Sequence, residues 1–432
     1  MLILVLWMSV GLVALALYFA DTMTLELRAS ANRAAGLAAE QAIEGASRYV
    51  AWSILNLSTN GVIPTNSLFR CESLPIGEAR VWIIGRDTPP TLNVTATQPV
   101  FGLVDEAGKL NINRAGSNIL VYLPGMFVDV AQAVVDWRST NSTLTLNYGA
   151  LGYEAKHGQY ESLDELRLVQ GITLADLEGD DRNRNGVQDA QEKAASGAKP
   201  FHPGLLDYLT VYSREPNTHS DGTTLTNIGN RAQLLGLLST AFGQARAQQV
   251  LNQLGFRGNA TPTIASPLQF YLNSGLGEDD FARIAGELAT STNSFTYGRV
   301  NVNTAPEPVL TALFMGSGVN EQTATGAAET LINYRRSNPD SLGSVAWIVT
   351  ALGRNSPVVT ALAQRDRITT RSFQYSADIA AVGPEGRGYR RVRFVFDLSD
   401  GTPKIIHRQD LSRLGWALGD TVREKLLAGN TP

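Results

Sequence analysis

The 432-residue chain has one cysteine, Cys71, so no disulfide can form within it. A domain of this size outside the cytosol must then rely on its own core or on bound ions. The four histidines, His157, His202, His219 and His407, are scattered and show no zinc-ligand spacing. A basic excess is also missing: 36 Lys and Arg face 40 Asp and Glu, for a formal net charge of −4, which counts against a nucleic-acid binder. No G-x-S-x-G, H-E-x-x-H or C-x-x-C occurs. Gly102 to Lys109 is one residue too long for a phosphate loop, and Leu110 stands where that loop needs Ser or Thr. The segment reads as a strand running into a turn, with Asp105 and Glu106 as a solvated acidic pair. Trp137 and Trp347 read as core side chains. No enzyme is expected.

Charge is absent from the first twenty residues as well. Met1 to Ala20 is apolar throughout, and the first charge is Asp21. At about 1.5 Å per residue this stretch matches a hydrocarbon core of about 30 Å. A cleaved secretory signal would carry a basic leader and a small-residue cleavage site, and neither is seen. The reading is a single-pass anchor. Thr22 to Trp52 continues without proline, with apolar residues at Leu25, Ala29, Ala35, Leu37, Ile43, Ala46 and Val50 and charges of both signs between them. One helix of about 50 residues is expected, its outer half packed on a folded head. At 432 residues the rest suits two or three domains.

Strand patterns lie in 79–104 (Ala79 to Ile84, Leu92 to Thr97, Val100 to Val104, with a Pro89-Pro90 break) and in 372–412. Between them about 250 residues read mostly as helix. The expected fold class is α+β, a sheet domain interrupted by a large α-helical insertion. Its divisions are 1–20 and 21–55 for the two halves of the helix and 56–109 for the first part of the sheet domain. The insertion is 110–368, and 369–432 completes the sheet with a C-terminal tail. The insertion carries a repeat. One copy, about 110–175, runs from Leu110-Asn-Ile-Asn-Arg-Ala through Leu123-Pro-Gly-Met and Val134-Val-Asp-Trp-Arg to Ser162-Leu-Asp-Glu-Leu. The other, about 300–355, runs from Val300-Asn-Val-Asn-Thr-Ala through Met315-Gly-Ser-Gly and Leu331-Ile-Asn-Tyr-Arg to Ser341-Leu-Gly-Ser-Val. The pattern predicts duplicated helix-hairpin (SAM-like) units, with the Asn residues capping helices and Ser162 and Ser341 as further N-caps.

The order of these pieces resembles the large minor pseudopilin of type II secretion systems, the general secretion pathway protein K (GspK) family. The residues that carry the likeness are the apolar helix running into Leu25-Glu-Leu-Arg, Val104-Asp-Glu-Ala-Gly-Lys-Leu-Asn-Ile-Asn-Arg-Ala, Val134-Val-Asp-Trp, Ser162-Leu-Asp-Glu-Leu-Arg-Leu-Val-Gln-Gly-Ile and Arg299-Val-Asn-Val-Asn-Thr-Ala-Pro. The resemblance implies a pilin-like head split by a helical insertion, at the tip of a short periplasmic pseudopilus. It also implies neighbours: the I- and J-type minor pseudopilins, the major pseudopilin, the inner-membrane secretion platform and exported protein substrates. Precursors of that family carry a short basic leader ending in Gly, whereas this sequence opens on the apolar run, so either a leader has been removed or the start is placed late. There is no glutamate before Glu26, which fits this family and would suit the first subunit of a filament, with none above it to neutralise.

The sharpest local motif is Asp181-Arg-Asn-Arg-Asn-Gly-Val-Gln-Asp-Ala-Gln-Glu192. It has the spacing of an EF-hand calcium loop. Asp181, Asn183 and Asn185 supply oxygens, Gly186 allows the sharp turn and Val187 offers its carbonyl. Asp189 stands at position 9, and Glu192 can bind bidentately at 12. Ca2+ in loop 181–192 is therefore the cofactor expectation. Gln188 replaces the usual apolar residue, and no clear EF-type entering helix precedes the loop, so it is expected outside a paired EF-hand. The acid-rich stretch the K family often carries after its VDW-like segment is replaced by Arg138-Ser-Thr-Asn-Ser-Thr. Two rival functions remain from the sequence. The Gly-containing turns 123–126 and 168–172 resemble DNA-binding hairpins of a DNA-uptake pilus, although each lacks a second Gly and few basic residues flank them. A type IV pilus-like tip adhesin would share the same anchor.

Overall fold

The computed structural model describes residues 1–57, 69–86, 98–140, 148–196, 201–257 and 262–428. The expected strand over 92–97 and the Pro89-Pro90 break lie outside them. The chain begins with a helix, α1 (Leu2–Leu57), which runs past the expected end at Trp52. Its side chains stay exposed through Ala34, and burial starts at Ala35. From there Ala39, Ala42, Ile43, Ala46, Val50 and Ile54 form an inward stripe with spacings of three and four residues. Each large member contributes about 1.5–3 kcal/mol by leaving water. The sequence reading placed Ala35, Ile43, Ala46 and Val50 correctly on this stripe. Leu25, Ala29 and Leu37 instead face outward.

The stripe crosses one face of an antiparallel sheet made of β1 (Leu74–Ile76), β2 (Ala79–Ile84), β3 (Val104–Asp105), β4 (Gln374–Val382), β5 (Arg390–Asp397) and β6 (Lys404–Asp410). The order is β1-β2-β4-β5-β6, and β3 pairs with the start of β4 (Tyr375 opposite Asp105). Period-two alternation divides the fully buried β4. Tyr375, Ala377, Ile379 and Ala381 pack under α1, whereas Ala380 and Val382 join Trp82, Ile84 and the C-terminal segment Ala417, Leu418 and Val422. The turn between β4 and β5 reaches α1 at the point where burial begins. A Cβ on Gly383 or Gly388 would overlap the Ala35 backbone, and Gly388 has φ +68°.

The insertion has its own core, running from Leu110 to Ile368. Within it the backbone repeats one pattern three times. Leu110–Asn111 pairs in parallel with Leu209–Thr210, Thr226–Asn227 with Leu288–Ala289, and Val300–Asn301 with Ile368–Thr369. The closing bonds correspond: Ile112 N to Thr210 O (2.8 Å), Ile228 N to Ala289 O (2.9 Å) and Val302 N to Thr369 O (3.0 Å). Each first strand ends in an Asn whose Oδ1 accepts from the backbone two residues on, at 2.9 Å for Asn111, 2.7 Å for Asn227 and 3.0 Å for Asn301. The repeat read from sequence is therefore threefold, with a middle unit at 226–289. The Asn residues build Asx turns rather than helix caps. In the outer units the cap positions fall to Gly116 and Pro306, which make no side-chain cap bond. Ser162 does head a capping box with Glu165, but over a 3-10 helix, Leu163–Leu168. Ser341 lies within a 3-10 turn, not at a cap. Arg138 and Arg335 play one part in the two outer units. Arg138 donates to the carbonyls of Ile112 and Ala115, and Arg335 to those of Val302 and Ala305. Trp137 and Trp347 are buried, as expected of core residues.

Candidate functional site

The loop 181–192 sits at the far end of the first unit, between a single-turn helix, Leu174–Glu178, and the helix Ala190–Ser196. The sequence showed no entering helix; one turn is present. All six candidate ligands lie in one closed loop. Asp181, Asn183, Asn185, Val187 and Glu192 are buried and Asp189 is half-buried. Asp181 Oδ1 accepts from Asn185 N (2.9 Å) and Oδ2 from Gly186 N (2.7 Å), and Asn183 Oδ1 accepts from Asn185 N (3.1 Å). Gly186 makes the turn at φ +84°. Glu192 shuts the ring, its Oε1 accepting from Arg182 N (2.8 Å) and its Oε2 from Asp189 N (3.0 Å). Asn183 Nδ2 donates to Asp189 Oδ2 at 3.1 Å.

Burial raises the pKa of the Asp181 carboxyl, with Arg86 opposing the rise, and burial likewise raises Glu192. Among the described residues no ion pair forms on Asp181, Asp189 or Glu192. No three carboxylates, imidazoles or thiols among them converge in a cluster that could hold a metal by themselves. The donor set is instead mixed, amide and carbonyl oxygens among carboxylates. That composition suits a hard cation of calcium size rather than a soft or small one.

The loop also touches the sheet. Arg391 on β5 is wholly buried; it pairs with Asp378 on β4 (2.6 Å) and donates to the carbonyls of Asn183 and Arg184. Arg86, just beyond β2, donates to Arg184 O (2.8 Å) and pairs with Asp207 (3.2 Å). Asn183 Nδ2 further donates to Trp416 O at 3.1 Å. Two arginines of the sheet domain thus hold the outer rim of the loop. The sequence singled out neither, because their partners are backbone carbonyls about 100 and 200 positions away.

Asp105 and Glu106 are the largest correction. The sequence pattern predicts a solvated acidic pair in a turn; both are buried, at 5% and 0% exposure. Asp105 Oδ2 accepts from Asn301 Nδ2 (2.8 Å) and Thr304 Oγ1 (2.6 Å) of the last unit, and its Oδ1 accepts from Ser372. Glu106 takes Thr210 Oγ1 (2.6 Å) from the first unit, Ser376 from β4, Arg393 from β5 (2.8 Å) and Lys109 (3.2 Å). Burial works against the Glu106 anion. Lys109 and Arg393, helped by the two hydroxyls, outweigh it and hold the carboxyl down at about 2. Burial draws the Lys109 ammonium pKa down, Glu106 opposes the fall and the neighbouring Arg393 adds to it. This dipeptide ties both outer units to the sheet.

The hairpin glycines considered for DNA, Gly125 and Gly171, are both exposed, with the His202 ring and Val130 as their nearest side-chain neighbours.

A long helix, free over one half and packed across an antiparallel sheet over the other, defines a pilin-like α+β fold here, enlarged by a helical insertion. No protein-family model and no curated protein matches the chain. It is similar to a chain in the crystal structure of the GspK-GspI-GspJ complex from the enterotoxigenic Escherichia coli type 2 secretion system. The identity is 10% and the TM-score 0.33, over 89% of this chain and 99% of that one.

Proposed function

We propose that this chain is a minor pseudopilin at the tip of a type II secretion pseudopilus, anchored in the inner membrane with its head in the periplasm. The observation that carries the reading is the divided helix. Residues 1–34 of α1 have no partner within the described chain, and the same helix packs its outer half into a sheet. Twenty apolar residues need lipid or other helices around them. A helix so placed can pass from a bilayer into a bundle of like helices without refolding the head. The insertion gives this subunit bulk that a repeating filament subunit does not need, which suits an end position. The work is packing and positioning, not catalysis. Its partners on this reading are the I- and J-type minor pseudopilins and the major pseudopilin, with exported proteins meeting the exposed insertion.

Ca2+ belongs to the same proposal, held by the side chains of Asp181, Asn183, Asn185, Asp189 and Glu192 and the carbonyl of Val187. When bound it would supply positive charge to a buried ring of oxygens. The chain's own part is to fold the ring and fasten it to Arg86 and Arg391. The deciding experiment is co-purification of the full chain, in detergent, with the other minor pseudopilins of the same organism. A stable complex is expected, and failure to form any complex overturns the reading.

A further inference from the structure

One strand of the insertion has an open edge beside a cleft. Phe295–Tyr297 pairs antiparallel with Arg214–Pro216 in a ribbon of two strands. Asn217 N donates to Ser294 O (2.9 Å) and Gly298 N to Ser213 O (3.2 Å), so residues 294, 296 and 298 turn their backbone groups toward the partner strand. Strand alternation sends the N–H and C=O of Phe295 and Tyr297 the other way. No described residue bonds them. A cleft of about 570 Å³ opens there, lined by this strand, by Thr290, Ser291 and Asn293, and by Arg114 and Asp366 from the outer units.

The charges in the cleft are unequal. Asp366 Oδ2 is already matched by Arg299 (2.5 Å) and Thr290, and its Oδ1 is buried with no hydrogen-bond partner among the described residues. Arg114 is exposed, its guanidinium rests over the Tyr297 ring at 4.8 Å, and it forms no ion pair among the described residues. Stacking holds that fork over the ring with its donors unbonded among the described residues, the state in which arginine captures a carboxylate. The open edge at β6 differs. It carries Lys404 and Arg408 and faces a register shift at Val395/Phe396, the devices that discourage strand pairing. The Phe295–Tyr297 edge carries none of these.

We infer that this edge and cleft bind an extended, acidic polypeptide segment, which adds a strand to Phe295–Tyr297 and places a carboxylate on Arg114. Backbone bonds at residues 295 and 297 supply the affinity, and Arg114 supplies the charge preference. The inference stands whether or not the chain caps a secretion filament.

The test is fluorescence anisotropy on the full chain in detergent. The probes are labelled peptides of about ten residues, alternating Thr and Val, with two Glu, two Gln or two Lys. The Glu peptide should bind saturably and at least about tenfold tighter than the Gln peptide, a gap that Arg114→Gln should close. Phe295→Pro removes an outward N–H and spares the inner ladder, and it should weaken all binding about tenfold or more. Phe295→Ala keeps that N–H and should stay within about threefold. If Phe295→Pro does not fold, the Arg114→Gln comparison decides alone. Equal binding of the three peptides, binding by none, or equal affinity of the Pro and Ala variants overturns the inference. So does self-association in sedimentation that Phe295→Pro abolishes, since the edge would then serve a second copy.

Discussion

At the scale of residues, the junction between sheet and insertion is polar and closed to water. Glu106 holds it together with a carboxyl depressed to about 2 from an ordinary 4.5. A carboxyl lowered on folding adds stability that is present in full above the unfolded value and lost as pH falls through the folded one. Glu106 should therefore contribute on the order of 3 kcal/mol near neutrality, less what the buried Lys109 gives back, and that contribution should fade from about pH 4.5 to 2. Urea midpoints across this window should fall steeply for the native chain and less steeply for Glu106→Gln. An equal slope in both would remove Glu106 from this role. Loop 181–192 gives a second prediction. Saturating calcium, at about 100 times Kd, should add about 2.7 kcal/mol and raise the Tm by several degrees. Asp181→Ala should abolish the gain, and identical melting curves in calcium and in chelator would sink the calcium proposal.

Elements show where sequence reading succeeds and where it stops. Local periodicity located β2, β4, β5 and most of α1, because each pattern is written within a few residues: Ala79 to Ile84 is apolar in the strand manner, and Ile43, Ala46 and Val50 recur at helical spacing. Leu25 and Leu37 break the rule because α1 is apolar on its outer side too, with Met23, Leu25, Leu27 and Leu37 all exposed. The middle unit escaped notice because its head reads Asn227-Ile-Gly-Asn, not Asn-x-Asn, although Thr226-Asn-Ile and the later Gly275-Leu-Gly are visible signals. The candidate ligands in loop 181–192 are contiguous, so their closure into one ring is local. Burial of Asp105 and Glu106 was not legible, since their partners stand about 100 to 290 positions away. The seating of α1 is just as non-local and rests on close backbone approach. Gly388→Val should force the β4–β5 turn off Ala35 and Gly36, costing about 1–3 kcal/mol by overpacking alone. Its positive φ adds strain for a β-branched residue. Chemical denaturation would measure the loss, and an unchanged midpoint would show that the turn can shift freely.

For the whole molecule, the described chain has one helix long and apolar enough to cross a membrane, at its start. Val13→Arg places a charge near the middle of the apolar run at an insertion cost of about 2.5–3.5 kcal/mol. The variant should move in part from the carbonate-resistant membrane fraction to the soluble one, with the melting of the head unchanged. Full retention would argue that residues 1–20 do not hold the chain by spanning lipid. The insertion can also be seen from the sheet's side. Asp105 on β3 lies directly opposite Tyr375 on β4, and Asp105 still touches Ser372 where the chain returns. Residues 106–374 therefore leave and re-enter through a single gate two strands wide. To the sheet they amount to one oversized hairpin loop, and each unit inside closes on its own ribbon of two parallel strands. Such a chain can change length beyond its gate with the register of every sheet strand intact. Its head can thus vary in size while the stem, and whatever the stem packs against, stays the same.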